Sequence, residues 1–363
     1  VTGLLSATAI VLSACGTAAG SGGSESAHSG DNVIRIEYVH RLPDGPGMIP
    51  VVDMVEKWNA AHPNIQVTAT KFTGKSSELM TKLKTDVANK SAPCLAQVGY
   101  GEAPEMFVGN LLEDVSGEAS KYKDNYNDAA YSQMSVGGKM VGLPQDTGPL
   151  VYLYNEAEFN ALGIEVPKTF DELLEAAKKA AAQGKYILDF EPDEVGYWLS
   201  AQAAAAGAVW YSTVDNKWRI NTTDEKTQVV AKFWQDALDA QAALTNKRAD
   251  DSYEQALTNG SLIGNIAPAW EIGYALDKLD GTPYEGQWRV AKLPTFGGAR
   301  MTGPDGGSGV AVMKGCQHKT EAMEFNNWLN TQVADLASQG LLPAAKGTVT
   351  TPEKTLRQFG NQD

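Results

Sequence analysis

Positive charge is scarce in this sequence. Thirty Lys and Arg residues stand against 44 Asp and Glu, a net charge of −14. No Lys/Arg cluster offsets that balance. Nucleic-acid binding depends on basic patches that neutralise phosphates, so a role on DNA or RNA is excluded. Histidine is rare as well. The four histidines, His28, His40, His62 and His318, are scattered, and none has zinc-ligand spacing. There is no Walker-type phosphate loop, no G-x-S-x-G elbow and no G-x-G-x-x-G after a strand, so no familiar catalytic motif marks an enzyme. Neither a metal nor an organic cofactor is expected. Cysteine is limited to Cys15, Cys94 and Cys316. The last two lie far apart and define no disulfide framework, so two buried thiols are the expectation.

Long apolar runs are also missing. The longest, Leu4 to Ala14, is too short for a membrane span of about 20 residues. It fits the apolar core of a secretion signal. Its end, Leu12-Ser13-Ala14-Cys15-Gly16, resembles a bacterial lipobox, in which the cysteine thiol is acylated. Residues 1–15 are therefore expected to be a lipoprotein signal peptide with Cys15 as the lipid attachment site. Residues 16–31 hold almost no large apolar side chain. They cannot bury enough surface to offset chain entropy and read as a Gly/Ser tether.

What remains is rich in ordinary folding material. The chain is 43% hydrophobic and, at 363 residues, exceeds the ~100–200 of one domain. Val33–Val39 alternates as a strand. Pro50 opens a helix with Val51, Val55 and Trp58 on one face. Ile65–Lys71 is a second strand, Ser76–Lys90 a second helix and Cys94–Val98 a third strand. That alternation predicts a parallel sheet with helical crossovers. Further on, Pro149–Tyr154, Tyr186–Asp189, Leu262–Ala267, Trp288–Leu293 and Gly309–Met313 read as strands. Phe170–Ala182, Tyr197–Ala206, Thr223–Ala240 and Lys319–Asn330 read as helices. Thr169 has the residue type and spacing of a helix cap.

Several segments together resemble the carbohydrate-type extracellular solute-binding proteins of ABC importers, the family that includes maltose-binding protein. They are Val52-Asp53-Met54-Val55-Glu56-Lys57-Trp58-Asn59 with His62-Pro63-Asn64; Gly138-Lys139-Met140-Val141-Gly142-Leu143-Pro144; and Val166-Pro167-Lys168-Thr169-Phe170-Asp171-Glu172-Leu173. Asn259-Gly260 through Trp270 and Lys292-Leu293-Pro294 with Gly306-Gly307 complete the set. The likeness runs from about Val33 to Leu342. It implies an α/β, two-lobed fold of periplasmic-binding-protein type (type II), with a ligand cleft between lobes. The expected division is 32–143 with 293–340 for one lobe and 147–290 with 343–363 for the other. It also implies capture of a sugar or oligosaccharide by a monomer tethered outside the cell membrane, and delivery to ABC permease subunits. One feature departs from the signal-peptide pattern and one from the family pattern. No basic residues precede the run at Leu4, and the sequence stops at Asp363, where members usually add helices.

Sugar recognition needs aromatic platforms for the apolar ring face and planar polar groups for hydroxyls. Ligands of open α/β sheets sit beyond the carboxyl ends of strands. That rule selects His40, Arg41, Tyr100, Glu102, Gln145, Asp146, Trp198, Trp210, Trp270 and Glu271 as substrate-binding candidates, with Gly307 letting backbone approach closely. Some carry a second reading: Trp198 as helix packing, Asp146 as a turn or hinge cap, His40 as a satisfied polar residue. Trp58, Phe233 and Trp234 lie on helical stripes and are expected in the core, and Trp218 is expected to pack within a hairpin. Other functions stay open: a binder of a non-sugar solute such as a polyol phosphate, a secreted glycoside hydrolase, or a surface adhesin.

Overall fold

The computed structural model describes residues 33–45, 48–215, 217–297 and 302–349. The expected signal peptide, Cys15 and the tether lie outside these residues, as do positions 350–363. Among the described residues, no helix is long and apolar enough to cross a membrane.

The chain folds as the α/β, two-lobed architecture. The first lobe is built on strands Ile65–Lys71, Ile34–His40 and Leu95–Gly99, which pair in parallel. Helices Val51–Ala61 and Ser76–Ala88 make the crossovers. Val51, Met54, Val55 and Trp58 recur every three or four residues, so one face of the first helix packs inward. Strand Pro304–Val312 then inserts antiparallel beside Leu95–Gly99. Its other edge pairs with the long strand Gly142–Asn155.

That long strand serves both lobes. Its first half pairs with Pro304–Val312 and with Leu342–Pro343. Its second half pairs antiparallel with Gly264–Pro268 on one side and Trp288–Lys292 on the other. The expected separate crossing and strand are thus one continuous element. One core draws on residues between Ile36 and Leu143 and between Val310 and Ala345. Two further cores, from Leu150 to Leu293 and from Leu153 to Trp288, fill the second lobe. Thr169 caps helix Phe170–Ala181 as its sequence suggests: Glu172 N donates to its Oγ1 at 3.1 Å and the Glu172 carboxylate accepts from the Thr169 N–H.

Three expectations are corrected. Cys94 and Cys316 form a disulfide, with Cα atoms 4.8 Å apart, instead of two thiols. The strands beside them are sheet neighbours, Leu95 opposite Val312, which sequence distance does not reveal. Ala344 and Ala345 join the first core, so the described part of 343–363 packs with the first lobe and not the second. Trp218 does sit in a hairpin, Tyr211–Val214 with Lys217–Ile220, but it is 68% exposed. Among the described residues this hairpin is a separate two-stranded sheet whose ladder places Trp218 opposite Thr213, with no third strand to bury it.

Candidate ligand cleft

The two lobes meet where Gly142–Asn155 and Pro304–Val312 cross side by side. Asp146 ties the strands together: its Oδ1 accepts from Ser308 N at 2.8 Å and from Ser308 Oγ at 2.6 Å. Tyr100 OH donates to the Asp146 carbonyl at 2.7 Å, and Tyr100 N donates to the Gly307 carbonyl at 3.2 Å. Gly307 has φ +87°, and a Cβ there would stand 2.8 Å from the Tyr100 ring. Only glycine meets both demands.

Above this crossing, side chains from both lobes converge. Glu102, from the first lobe, accepts from Ser76 Oγ at 2.7 Å and from Tyr197 OH of the second lobe at 3.2 Å. Burial and Glu102 push the Tyr197 hydroxyl up to about 12, so it remains a donor at neutral pH. The Arg41 guanidinium, whose Nε donates to Gly74 O at 3.0 Å, carries charge that faces Glu102 and Tyr197. On the second-lobe side, half-buried Trp270 donates through Nε1 to the Asp305 carbonyl at 2.9 Å. The Arg248 guanidinium lies 5.4 Å from the Trp270 ring centroid.

Arg248 is the hub beneath that ring. Its side chain is 8% exposed and pairs with Asp305 Oδ2 at 2.6 Å and Glu191 Oε2 at 2.7 Å. Glu271 and Glu194 lie at 3.5 and 3.6 Å. Burial raises the acid ranges of Glu191, Glu271 and Asp305, and Arg248 partly offsets it. Burial also opposes the Arg248 charge, but Glu191, Glu271 and Asp305 outweigh it and hold the cation protonated.

Residues 48–334 match the bacterial extracellular solute-binding protein family. The chain belongs to that family. Among solved structures, this binding protein is similar to the galacto-N-biose-/lacto-N-biose I-binding protein of an ABC transporter from Bifidobacterium longum, in complex with lacto-N-biose. The two share 51% identity over 92% of this chain and 83% of the other, with a TM-score of 0.88. It is also similar to an ABC-transporter-associated binding protein from B. animalis subsp. lactis Bl-04 in complex with beta-1,6-galactobiose. There the identity is 27%, over 87% and 77% of the two chains, and the TM-score 0.71. The arabinooligosaccharide-binding protein of Bacillus subtilis is 21% identical over 76% of this chain, and the match spans 64% of that relative's length.

Tyr100, Glu102, Asp146, Trp270, Glu271 and Gly307 are brought together at the crossing of this binding protein, with Arg41 beside Glu102. Asp146 acts there as a hinge tie, and Glu271 lies under the site, its Oε1 accepting from Tyr253 OH at 2.9 Å. Three candidates are corrected. Trp198 is fully buried, donates to Ile266 O at 2.9 Å and packs on Trp234 and Phe190, so it is core. Gln145 points into the first core, donating to Asn330 Oδ1 at 3.0 Å. His40 is buried against Tyr38, accepts from Leu42 N at 3.2 Å, and burial lowers its pKa to about 4. Trp210 is not among the groups at the crossing; it lines a cavity with Ala204, Tyr211 and Pro304. The sequence reading missed Arg248, Asp305 and Glu191. A lone Arg in the polar run Asn246-Lys247-Arg248-Ala249-Asp250 looks like a solvated loop, and its burial arises only from the fold.

The hinge tie has a pH signature. Burial raises Asp146 to about 6, against Ser308's two bonds, whereas an unfolded Asp titrates near ~3.9. Between these values the folded protein holds the extra proton. The contribution of Asp146 to stability is therefore full below about pH 4, falls as pH rises to 6, and is flat above. His40 acts oppositely: folded near 4 and unfolded near ~6.5, it removes stability as pH falls through that window. Comparing wild type with Asp146→Asn isolates the first effect. The stability difference between them should fall by up to about 3 kcal/mol from pH 4 to 6 and then level off. A difference independent of pH in urea titrations would remove this assignment.

Proposed function

We propose that this protein is the extracytoplasmic, lipid-anchored receptor of an ABC importer, and that it takes a lacto-N-biose-type disaccharide, a galactosyl unit linked to an N-acetylhexosamine. The observation that carries the reading is the 51% identity, over nine-tenths of the chain, with a binding protein solved around lacto-N-biose. The geometry supports it. Trp270 offers a rigid ring, held at its N–H edge by Asp305 O and backed by Arg248. Glu102, Tyr197 and Arg41 supply charge and hydrogen-bonding groups from both lobes. A sugar seated among them touches both lobes at once, so it favours the closed arrangement that a permease can engage. Binding without turnover is the chemistry in view.

Calorimetry against lacto-N-biose, galacto-N-biose, beta-1,6-galactobiose and maltose tests the ligand. Lacto-N-biose or galacto-N-biose should bind most tightly and raise the melting temperature. Heat signals for none of the four sugars would end the reading. Trp270→Ala should weaken the best ligand at least tenfold, about 1.4 kcal/mol, with the unfolding midpoint little changed. The anchor is tested separately: cells given an alkyne-tagged fatty acid should label the wild type, and Cys15→Ala should be unlabelled and released to the medium.

A further inference from the structure

One short loop of the first lobe holds the crossing with one residue and the second lobe with another. It runs from Gly99 to Glu102, between strand Leu95–Gly99 and helix Ala103–Val108. Tyr100 is fixed to the crossing strands: its OH donates to the Asp146 carbonyl at 2.7 Å and its N–H to the Gly307 carbonyl at 3.2 Å. Glu102, two positions on and buried, turns to the other lobe. Its Oε1 takes both donors, Ser76 Oγ at 2.7 Å and Tyr197 OH at 3.2 Å. Its Oε2 lies against Gly99, where a Cβ would overlap it. Gly101 clears the approach from the far side, since a Cβ there would stand 3.2 Å from the Tyr197 ring. Two glycines in one loop thus make room for a single interlobe bond.

The second-lobe side is equally specific. Tyr197 sits in Val195–Leu199, a single turn of the wide π-helical kind, which is rare and concentrates at functional sites. Glu194, just before that turn, is drawn by Arg248 of its own lobe, whose Nη1 lies at 3.6 Å, and by the Lys75 charge of the first lobe. Lys75 is the neighbour of Ser76, the other donor to Glu102. Both interlobe attractions therefore run between the same two short segments. Donor and acceptor belong to the protein in each, so they favour closure before a sugar arrives as well as after. We propose that Glu102 is a positioning residue: bonded to Tyr197, it latches the lobes at a set angle while Tyr100 holds the same loop to the hinge. It acts on the sugar only by fixing the closed arrangement. The effect on ligand rests on the sugar-binding reading given above; the latch itself does not.

Dissociation of lacto-N-biose, followed by stopped flow, gives the first readout. Tyr197→Phe and Glu102→Ala should each speed it by about tenfold, the worth of one hydrogen bond to a carboxylate. The double variant should lose no more than either alone, because both changes remove the same bond. Glu102→Gln keeps Oε1 as an acceptor and should lose about threefold or less. Small-angle scattering without sugar gives the second readout. Tyr197→Phe should have a larger radius of gyration than wild type, and saturating sugar should remove the difference. Losses that multiply in the double variant, a Glu102→Gln loss as large as that of Glu102→Ala, or equal radii without sugar overturns the latch and leaves the sugar reading standing. If Glu102→Ala does not fold, Tyr197→Phe and Glu102→Gln decide. If wild type binds no lacto-N-biose, that reading alone falls, and the radii without sugar still decide the latch.

Discussion

Arg248→Met is expected to lower the stability of this protein by about 3–5 kcal/mol, the usual loss when one partner of a buried ionic cluster is removed. Glu191, Glu271 and Asp305 are each 1% exposed or less and converge on that one guanidinium. Without it they remain buried and can escape ionisation only by taking up protons. The sign of the pH response follows. Their folded acid ranges, already raised, rise further, so the variant gains stability as pH falls toward the unfolded carboxylate range near ~4. The gap between variant and wild type should therefore be widest at pH 7 and narrow by pH 5 in urea unfolding followed by tryptophan fluorescence. Arg248→Lys should not restore it, because a single ammonium cannot reproduce the separate Nε and Nη2 contacts. A variant with the wild-type midpoint at both pH values would show that the cluster does not depend on this cation.

Opening the Cys94–Cys316 bond should have a comparable effect. The bond links positions 222 residues apart and encloses the whole second lobe in one loop. Crosslinks over long loops restrict the unfolded chain most, and losing a native one removes roughly 2–5 kcal/mol. The double variant Cys94→Ala/Cys316→Ala, or wild type in dithiothreitol, should melt several degrees lower. Intact mass under non-reducing conditions checks the starting point: the native chain should be lighter by two hydrogens than the reduced one. Equal melting with and without reductant would remove the bond from the account of stability.

The sequence carried the local structure well. Helix Lys319–Asn330 and strand Ile65–Lys71 were read with their observed ends, since the hydrophobic period is a local property. The ordered motifs also located the crossing, and the strand-end rule picked out Tyr100, Glu102, Asp146, Trp270 and Gly307, which the fold places around it. What sequence could not separate was one tryptophan from another. Trp198 and Trp270 both border helices, yet one is sealed against Trp234 and the other sits half-buried beside the hinge strand. That difference depends on which elements later pack around each. Arg248 and the disulfide failed for the same reason, because both depend on contacts between segments remote in the chain.

The crossing of Gly142–Asn155 with Pro304–Val312 also sets an order of assembly. As the chain is synthesised, the second lobe has every strand that pairs with Gly142–Asn155 on its side once Trp288–Lys292 has emerged. The first lobe, though begun earlier, still lacks the strand that fits between Leu95–Gly99 and Gly142–Asn155, and helix Lys319–Asn330 behind it. Its earlier-made part must stay available until Pro304–Val312 and Lys319–Asn330 arrive. The later-made lobe can finish first, and the earlier-made one is exposed longest to aggregation and to holding chaperones.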